Sequence, residues 1–213
     1  MKARLATGGY RVHRGALDLE KDVRHVPLER HLIDSGALLI TGDPMSVSLH
    51  SMSISILSRT LTSLSGWLAK AEEHAKSQEE NPDDYLGLKL VEDMREFSFQ
   101  IQTVSDAAKR GAARLAEVEA PAWADDETTF AELRQRIAKT IEYVDGIAPA
   151  QLEGAETRTI EMQAGPDMTL TFTGENYVKQ FVLPNFFFHA TMTYALLRQK
   201  GVPLGKMDFL GPI

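Results

Sequence analysis

The sequence predicts an all-α fold, a four-helix bundle with one small β-hairpin between the third and fourth helices. Three observations support this prediction. Four segments repeat apolar residues at steps of three and four, which is the period of an amphipathic helix. Residues 157 to 173 instead alternate apolar and polar residues, as a half-buried strand does. The chain has 213 residues and no internal repeat, which is typical of a single domain.

The composition excludes several classes of function. With 43% hydrophobic and 25% charged residues, the chain has the make-up of a soluble globular protein. A net charge of −7 and the lack of a basic cluster argue against nucleic-acid binding. The chain has no cysteine, which excludes disulfides, thiolate metal ligands and a thiol nucleophile. No signal peptide or membrane-length apolar run is present, so we expect a cytoplasmic protein that does not interact with membranes.

The first 44 residues differ in composition from the rest of the chain. Glycine, arginine and histidine are scattered there, and the single apolar cluster is closed by Thr41, Gly42, Asp43 and Pro44. We therefore expect residues 1 to 44 to form a poorly ordered N-terminal extension and residues 45 to 213 to form the folded domain. The alternative is that the extension is a functional arm.

Two long helices are predicted in the first half of the domain. The first runs from Ser51 to about Ala75 and carries its leucines on one face. The second has an apolar face that begins at Met94, and it ends near Val118. Around Gly111 this second helix carries small residues that would let a neighbouring helix approach closely, namely Ala107, Ala108, Ala112 and Ala113.

Capping and alternation predict the next two elements. Thr129 and Glu132 have the spacing of a capping box, which places the start of the third helix just after Thr129. That helix is predicted to end near Gly146. Residues 157 to 163 and 168 to 173 then alternate around a turn and predict the hairpin. Because an isolated hairpin is marginally stable in water, its apolar face should rest on the helices.

The most apolar pattern begins at Glu175 and predicts the central helix of the fold. Apolar residues cover roughly two thirds of its circumference, as expected of a core helix. One apolar row contains Tyr177 and Phe188. Gly201 follows the last periodic residues and predicts the helix end.

Pro184 lies well inside this pattern. A proline at that position cannot donate a hydrogen bond to the carbonyl of Gln180, so we expect a kink within a continuous helix. Asn185 and His189 follow it and share one helix face, because they are four residues apart. We expect chemistry at this face. The alternative is that His189 is a core histidine whose ring is hydrogen-bonded to a neighbouring carbonyl or hydroxyl.

Residues 45 to 211 resemble an uncharacterised bacterial family within the DinB/YfiT-like superfamily of four-helix bundles. The resemblance rests on the C-terminal block LPNFFFHATMTYALLRQKGVPLGKMDFLG and on three shorter segments, namely Glu92 to Met94, Asp126 to Arg134 and Phe172 to Tyr177. It implies an up-down-down-up order of the four helices and assembly as a homodimer. It implies no particular reaction, because the family has no assigned activity.

The wider superfamily also implies a metal site. Its metal-binding members carry one histidine near the start of the second helix and a His-x-x-x-His pair in the fourth, followed by a Leu-Arg-x-x-Gly-Val segment. This chain has that segment at residues 197 to 202. The alignment places His189 on the second histidine of the pair, Asn185 on the first and Asp93 near the second-helix ligand. Since one histidine of three is retained, these residues should hold a divalent metal only weakly.

Two classes of function stay open. The first is a small-molecule or metal-binding site built from Asp93, Asn185 and His189, with a low-molecular-weight thiol as co-substrate by superfamily analogy. The second is a non-catalytic dimeric binding or structural module, in which a hydrogen-bond network has replaced the ancestral site. A low-polarity cavity open to solvent beside His189 would favour the first class. A sealed and fully hydrogen-bonded His189 would favour the second.

Overall fold

The computed structural model describes residues 47 to 211, which are mostly helical with one two-stranded antiparallel sheet. The predicted extension at residues 1 to 44 and the domain boundary at residue 45 lie outside the described residues and stay predictions. Within the described range, no helix combines the length and the apolar character needed to cross a membrane.

The first two long helices form close to where the periodicity predicts them. A short helix α1 (Leu49–Met52) precedes α2 (Ile54–Ser77), whose leucines are buried as expected. Helix α3 (Phe97–Ala116) begins later than the sequence suggested, because the preceding residues form turns. The backbone amide of Phe97 is bonded to the carbonyl of Leu88, which fixes the end of this turn segment.

Helix α4 (Phe130–Asp145) begins with the predicted capping box. The Thr129 hydroxyl accepts a hydrogen bond from the amide of Glu132, whose carboxylate accepts one from the amide of Thr129. The Asp83 carboxylate, from a 3-10 helix at Pro82–Gly87, accepts another from the amide of Phe130. These bonds satisfy backbone donors that a helix N-terminus leaves free. A second 3-10 helix, Pro149–Leu152, follows α4.

The predicted hairpin is confirmed as strands β1 (Thr159–Gly165) and β2 (Met168–Thr173). Ile160 lies opposite Phe172, and Met162 lies opposite Leu170. Ile160 is buried, while Met162 and Phe172 pack against the hydrophobic core. The helices therefore support the hairpin, which would be only marginally stable in isolation.

The C-terminal helical stretch is continuous from residue 174 to residue 199. It consists of α5 (Gly174–Tyr177), one π-helical turn (Val178–Val182) and α6 (Leu183–Gln199). The backbone is right-handed helical on both sides of each junction, so the predicted continuity through Pro184 is confirmed. The irregularity lies one turn before the proline. There the amide of Leu183 donates to the carbonyl of Val178, five residues back, in place of the usual four.

The helices surround one hydrophobic core. Helix α2 packs against α4 and α6, and α3 also packs against α4 and α6. A short C-terminal helix α7 (Lys206–Leu210) lies on α2. There the Trp67 ring stacks on Phe209 at 5.3 Å between ring centroids, and its indole N–H donates to the carbonyl of Asp208 at 2.8 Å. Helix α7 is thereby held on the helical core.

The π turn changes which residues of the C-terminal stretch are buried. Val182 and Phe186 are buried, whereas Phe188 is 55% exposed. The sequence pattern placed Phe188 in the same apolar row as Tyr177, and this placement is wrong. An extra residue in one turn rotates everything after it by about 100° relative to a regular α-helix, which turns Phe188 towards solvent.

Candidate functional site

A cavity of about 340 Å³ lies between α3, strand β1 and the π-helical stretch. Helix α3 contributes most of one wall, and β1 contributes Met162 and Gln163. The opposite wall comes from Tyr177, Phe181, Val182 and Asn185. The hairpin thus has a structural role at this site, since it closes one side of the cavity.

The close approach of α3 to the π turn depends on Gly111. A Cβ atom at this position would lie 2.8 Å from Cγ1 of Val182, closer than side chains pack without displacement. The sequence prediction that small residues around Gly111 admit a neighbouring helix is therefore confirmed. The neighbour is the irregular part of the C-terminal helix, which borders the cavity.

The π turn also brings Tyr177 and Asn185 onto the same wall. In a regular α-helix two residues eight apart point about 80° away from each other. One inserted residue reduces this difference to about 20°, because the pair then corresponds to a spacing of seven. Both side chains consequently line the same cavity. The Asn185 side chain forms no hydrogen bond with any other residue in the part of the chain that the structure describes.

Arg114 and Tyr177 form a polar pair at the cavity wall. Nη1 of Arg114 donates a hydrogen bond to the phenol oxygen of Tyr177 at 3.0 Å. Burial raises the pKa of Tyr177, although the nearby charge of Arg114 opposes this shift. The phenol therefore stays neutral near pH 7 and does not cancel the charge on the guanidinium.

Asp106 is the centre of an ion-pair network behind the same wall. One of its oxygens lies 2.8 Å from Nζ of Lys109 and 2.9 Å from Nη2 of Arg136, and the other lies 2.7 Å from Nη2 of Arg110. Arg136, whose side chain is 2% exposed, also pairs with Asp125 and Glu127 at 2.8 Å each. This network fixes α3 against α4 and the loop before it.

His189 lies beside the cavity and is oriented by Gln100. Its Nδ1 is 2.7 Å from Oε1 of Gln100, whose amide nitrogen donates to the carbonyl of Arg95 at 3.0 Å. Because the amide nitrogen is used in this way, Oε1 must accept, and Nδ1 of His189 must carry the proton. The neutral ring then has its lone pair on Nε2. Burial lowers the pKa of His189, which favours this neutral form.

The structure brings together only part of the site predicted from the sequence. Asn185 lines the cavity, and the His189 ring touches Phe99, another lining residue, edge-on at 6.0 Å between centroids. Asp93 lies instead in an exposed turn before α3, so the expectation that it falls near the start of the second helix is wrong. Within residues 47 to 211 no hydrogen bond or ion pair joins Asp93 to Asn185 or His189.

No three histidine, aspartate or glutamate side chains in the described part of the chain are arranged to hold a metal ion. Asn185 adds an amide oxygen, and His189 adds its Nε2, which is unbonded within the described residues, so the ligand set is sparse. The metal site at Asp93, Asn185 and His189 therefore stays a prediction.

Sequence reasoning did not identify Arg110, Arg114 and Tyr177 as site residues. The two arginines are four residues apart on α3, a spacing that usually indicates a solvated helix face. Tyr177 was assigned to the apolar core, where its ring does lie. Only the position of the hairpin and the π turn shows that these three groups border one cavity.

Comparisons with known proteins identify related chains. Residues 49 to 210 match the family model described as Domain of unknown function (DUF1993). Among solved structures, the chain is similar to a protein described as a DinB family member from Shewanella denitrificans. The two are 35% identical with a TM-score of 0.72, and the match covers 78% of this chain and 93% of the other. No curated protein matches the chain.

Proposed function

The chain belongs to DUF1993, a DinB-like family of domains of unknown function, and we propose that its domain binds a small organic molecule in the cavity beside Asn185. The observation that carries this proposal is the convergence of uncommitted polar groups on one concave site. The Asn185 side chain has no hydrogen-bond partner within residues 47 to 211, and the Arg114 guanidinium has no carboxylate partner there. Polar groups that line a cavity in this state are available to a ligand.

The size and construction of the cavity support the same proposal. Its volume of about 340 Å³ is at the lower end of the range for small-molecule sites. Its wall includes a π turn, and π turns frequently occur at functional sites because they re-orient side chains within a helix. Apolar lining from Phe99, Phe181 and Met162 would cover the non-polar part of a ligand.

The arrangement of the long helices is a further proposal. We infer that α2, α3, α4 and the C-terminal helix form the up-down-down-up four-helix bundle that the sequence predicts. The pairwise packing of α2 and α3 against both α4 and α6 supports this arrangement.

We also propose a cytoplasmic homodimer. The exposed ring of Phe188 on α6 is a suitable contact for a second copy.

The predicted site enters the proposal in part. Asn185 contributes directly to the cavity, and His189 adds a neutral ring next to it whose Nε2 has no hydrogen-bond partner among residues 47 to 211. Asp93 lies in an exposed turn and forms no hydrogen bond or ion pair with His189 within residues 47 to 211. Binding of a small molecule without a metal is therefore the principal function that we propose.

The second candidate is a non-catalytic module in which a hydrogen-bond network replaces the ancestral site. One observation favours it, namely the chain of bonds from His189 through Gln100 to the carbonyl of Arg95. In this case Gln100→Ala should destabilise the fold, because it leaves buried groups unpaired, while no ligand should bind at the cavity.

A cavity-filling substitution tests the principal proposal. Ala107 lines the cavity on α3, so Ala107→Phe should occupy the ligand space. Ala138 is an exposed residue of α4 outside the cavity, and Ala138→Phe is the matched control. Thermal unfolding is measured with a panel of small organic acids, phosphates, amides, amines and alcohols.

We expect at least one compound to raise the unfolding temperature of the parent and of the control but not of Ala107→Phe. The proposal is wrong if no compound stabilises the parent. It is also wrong if the compounds that do so stabilise Ala107→Phe equally, because the binding site would then lie elsewhere.

A further inference from the structure

We propose that the ligand of this cavity carries an oxyanion, a carboxylate or a phosphate, and that Arg114 binds it. The inference rests on the proposed function, since it specifies the ligand class of the same site. It starts from the charges around the cavity, which do not balance locally although the whole chain has a net charge of −7.

The charged side chains that line the cavity, or pair with its lining, include four cations and three carboxylates. The carboxylates are Asp106, Asp125 and Glu127, and each is paired with at least one cation. The cations are Lys109, Arg110, Arg136 and Arg114. One positive charge is therefore in excess, within an acidic protein.

Arg114 is the cation that lacks a carboxylate. The one hydrogen bond of its guanidinium within residues 47 to 211 goes to the neutral phenol of Tyr177, so most of its five N–H donors stay available. A planar guanidinium with free donors matches the geometry of a carboxylate or a phosphate, which it can bind through two parallel hydrogen bonds. Arg114 lies at the cavity wall, where these donors are accessible.

Two neighbouring groups add to this anion site. Arg110, one helical turn earlier on α3, lines the same cavity and shares Asp106 with two other cations. Its charge is therefore only partly compensated. The phenol of Tyr177 accepts from Arg114 and can donate its own proton to a ligand oxygen. Tyr177 thus holds Arg114 in place and offers a further donor.

Asn185 completes the recognition of such a ligand. Its amide lies across the cavity from α3 and can donate to, or accept from, a polar group in the remainder of the molecule. A small organic acid or phosphate ester with one apolar part would satisfy the arginine, the amide and the aromatic lining together. The excess of one positive charge favours a ligand with a net negative charge.

Matched probes test the charge requirement. Benzoate and benzamide have nearly the same shape but differ in charge, and glycerol is the neutral parent of glycerol phosphate, without the charged phosphate group. Binding of each probe to the parent is measured by calorimetric titration. The substitutions are Arg114→Gln, Arg114→Lys and Tyr177→Phe. Arg134→Gln is the matched control, because Arg134 is an exposed arginine of α4 that is paired with Glu72 away from the cavity.

We expect at least one anion to bind more tightly than its neutral counterpart, with benzoate and glycerol phosphate distinguishing a carboxylate site from a phosphate site. Arg114→Gln should weaken the binding of that anion at least about tenfold, since hydrogen bonds to charged groups are among the stronger ones. Arg114→Lys should retain part of the affinity, because it keeps the charge but loses the planar fork. Tyr177→Phe should have a smaller effect, and Arg134→Gln should have none.

The inference is overturned if neither anion binds, if the neutral probes bind as tightly as the anions, or if Arg114→Gln changes nothing. These outcomes are distinct from a failure of the proposed function. If a neutral probe binds the parent but not Ala107→Phe, the cavity is a ligand site without anion selectivity. If every probe that binds the parent binds Ala107→Phe equally well, both proposals are wrong, because the binding site would then lie outside the cavity.

Discussion

Gly174 is the residue at which a single added methyl group should do most damage to the fold. It begins α5, directly after strand β2, and its backbone crosses that of residues 155 and 156. A Cβ atom there would lie 1.9 Å from the carbonyl oxygen of Ala155. Carbon and oxygen atoms normally stay about 3.3 Å or more apart, so the two backbones would have to separate by about 1.4 Å in Gly174→Ala.

The cost follows from the bonds at this crossing. The amide of Gly174 donates to the carbonyl of Arg158 at 2.9 Å, and the amide of Glu175 donates to the carbonyl of Glu156 at 3.0 Å. Loss of both bonds costs about 2 kcal/mol, and overpacking adds about 1 to 3 kcal/mol. We expect a total of about 3 to 5 kcal/mol. This corresponds to a decrease of about 6 to 20 °C in unfolding temperature for a domain of this length.

Gly66→Ala is the matched control. Gly66 is an exposed residue inside α2, and an added Cβ would meet no atom within 4 Å. Alanine should therefore stabilise this helix by up to about 1 kcal/mol. Thermal and urea unfolding of the parent and both variants measure the difference. Equal effects of the two substitutions, or a loss below about 1 kcal/mol at Gly174, would show that the crossing is not rigid.

Three further predictions concern titration and metal binding. NMR titration should give His189 a pKa below 6.5 with the proton of the neutral ring on Nδ1, because burial disfavours the imidazolium. The imidazole of the unfolded chain then takes up its second proton at a higher pH than the imidazole of the folded protein does. Stability is therefore lost as the pH falls below 6.5, and His189→Gln should remove that loss. If the predicted metal site forms, zinc, nickel or manganese should bind weakly to the parent and less well to His189→Ala. Identical metal-binding titrations of the two proteins would rule out the metal site. Lys70 and the Gly205 amide lower the pKa of Asp208, so its stabilising contribution should disappear in acid as Asp208 protonates, and Asp208→Asn should show a flatter stability profile there.

Much of the fold could be predicted because its determinants are local. The capping box of Thr129 and Glu132 marks the start of α4 in the sequence and in the structure. The alternation in residues 157 to 173 predicts the hairpin, since a change of period from 3.6 to 2 identifies a strand. Gly111 also had its expected role, because close helix packing needs a small residue wherever the two backbones meet.

The polar part of the site depends on long-range contacts, which no local pattern contains. Gln100 orients His189 across 89 residues of sequence, and Arg114 reaches Tyr177 across 63 residues. Each residue taken alone has an ordinary structural explanation, either on a solvated helix face or in an apolar row. Their combined position is decided by how α3 packs on the C-terminal helix, and therefore by tertiary structure.

The π turn explains both the error at Phe188 and the position of Asn185. A periodicity of 3.6 residues assumes that every turn of the helix has the same width, so it carries Tyr177 and Phe188 onto one face. Pro184 has no amide proton to donate and therefore indicates that the helix is irregular nearby. The sequence does not reveal that the irregularity is a wider turn that comes before the proline. The same rotation that exposes Phe188 brings Asn185 into line with Tyr177. A helix without this turn would keep a more regular apolar face and would separate the two side chains that close the cavity opposite Arg114.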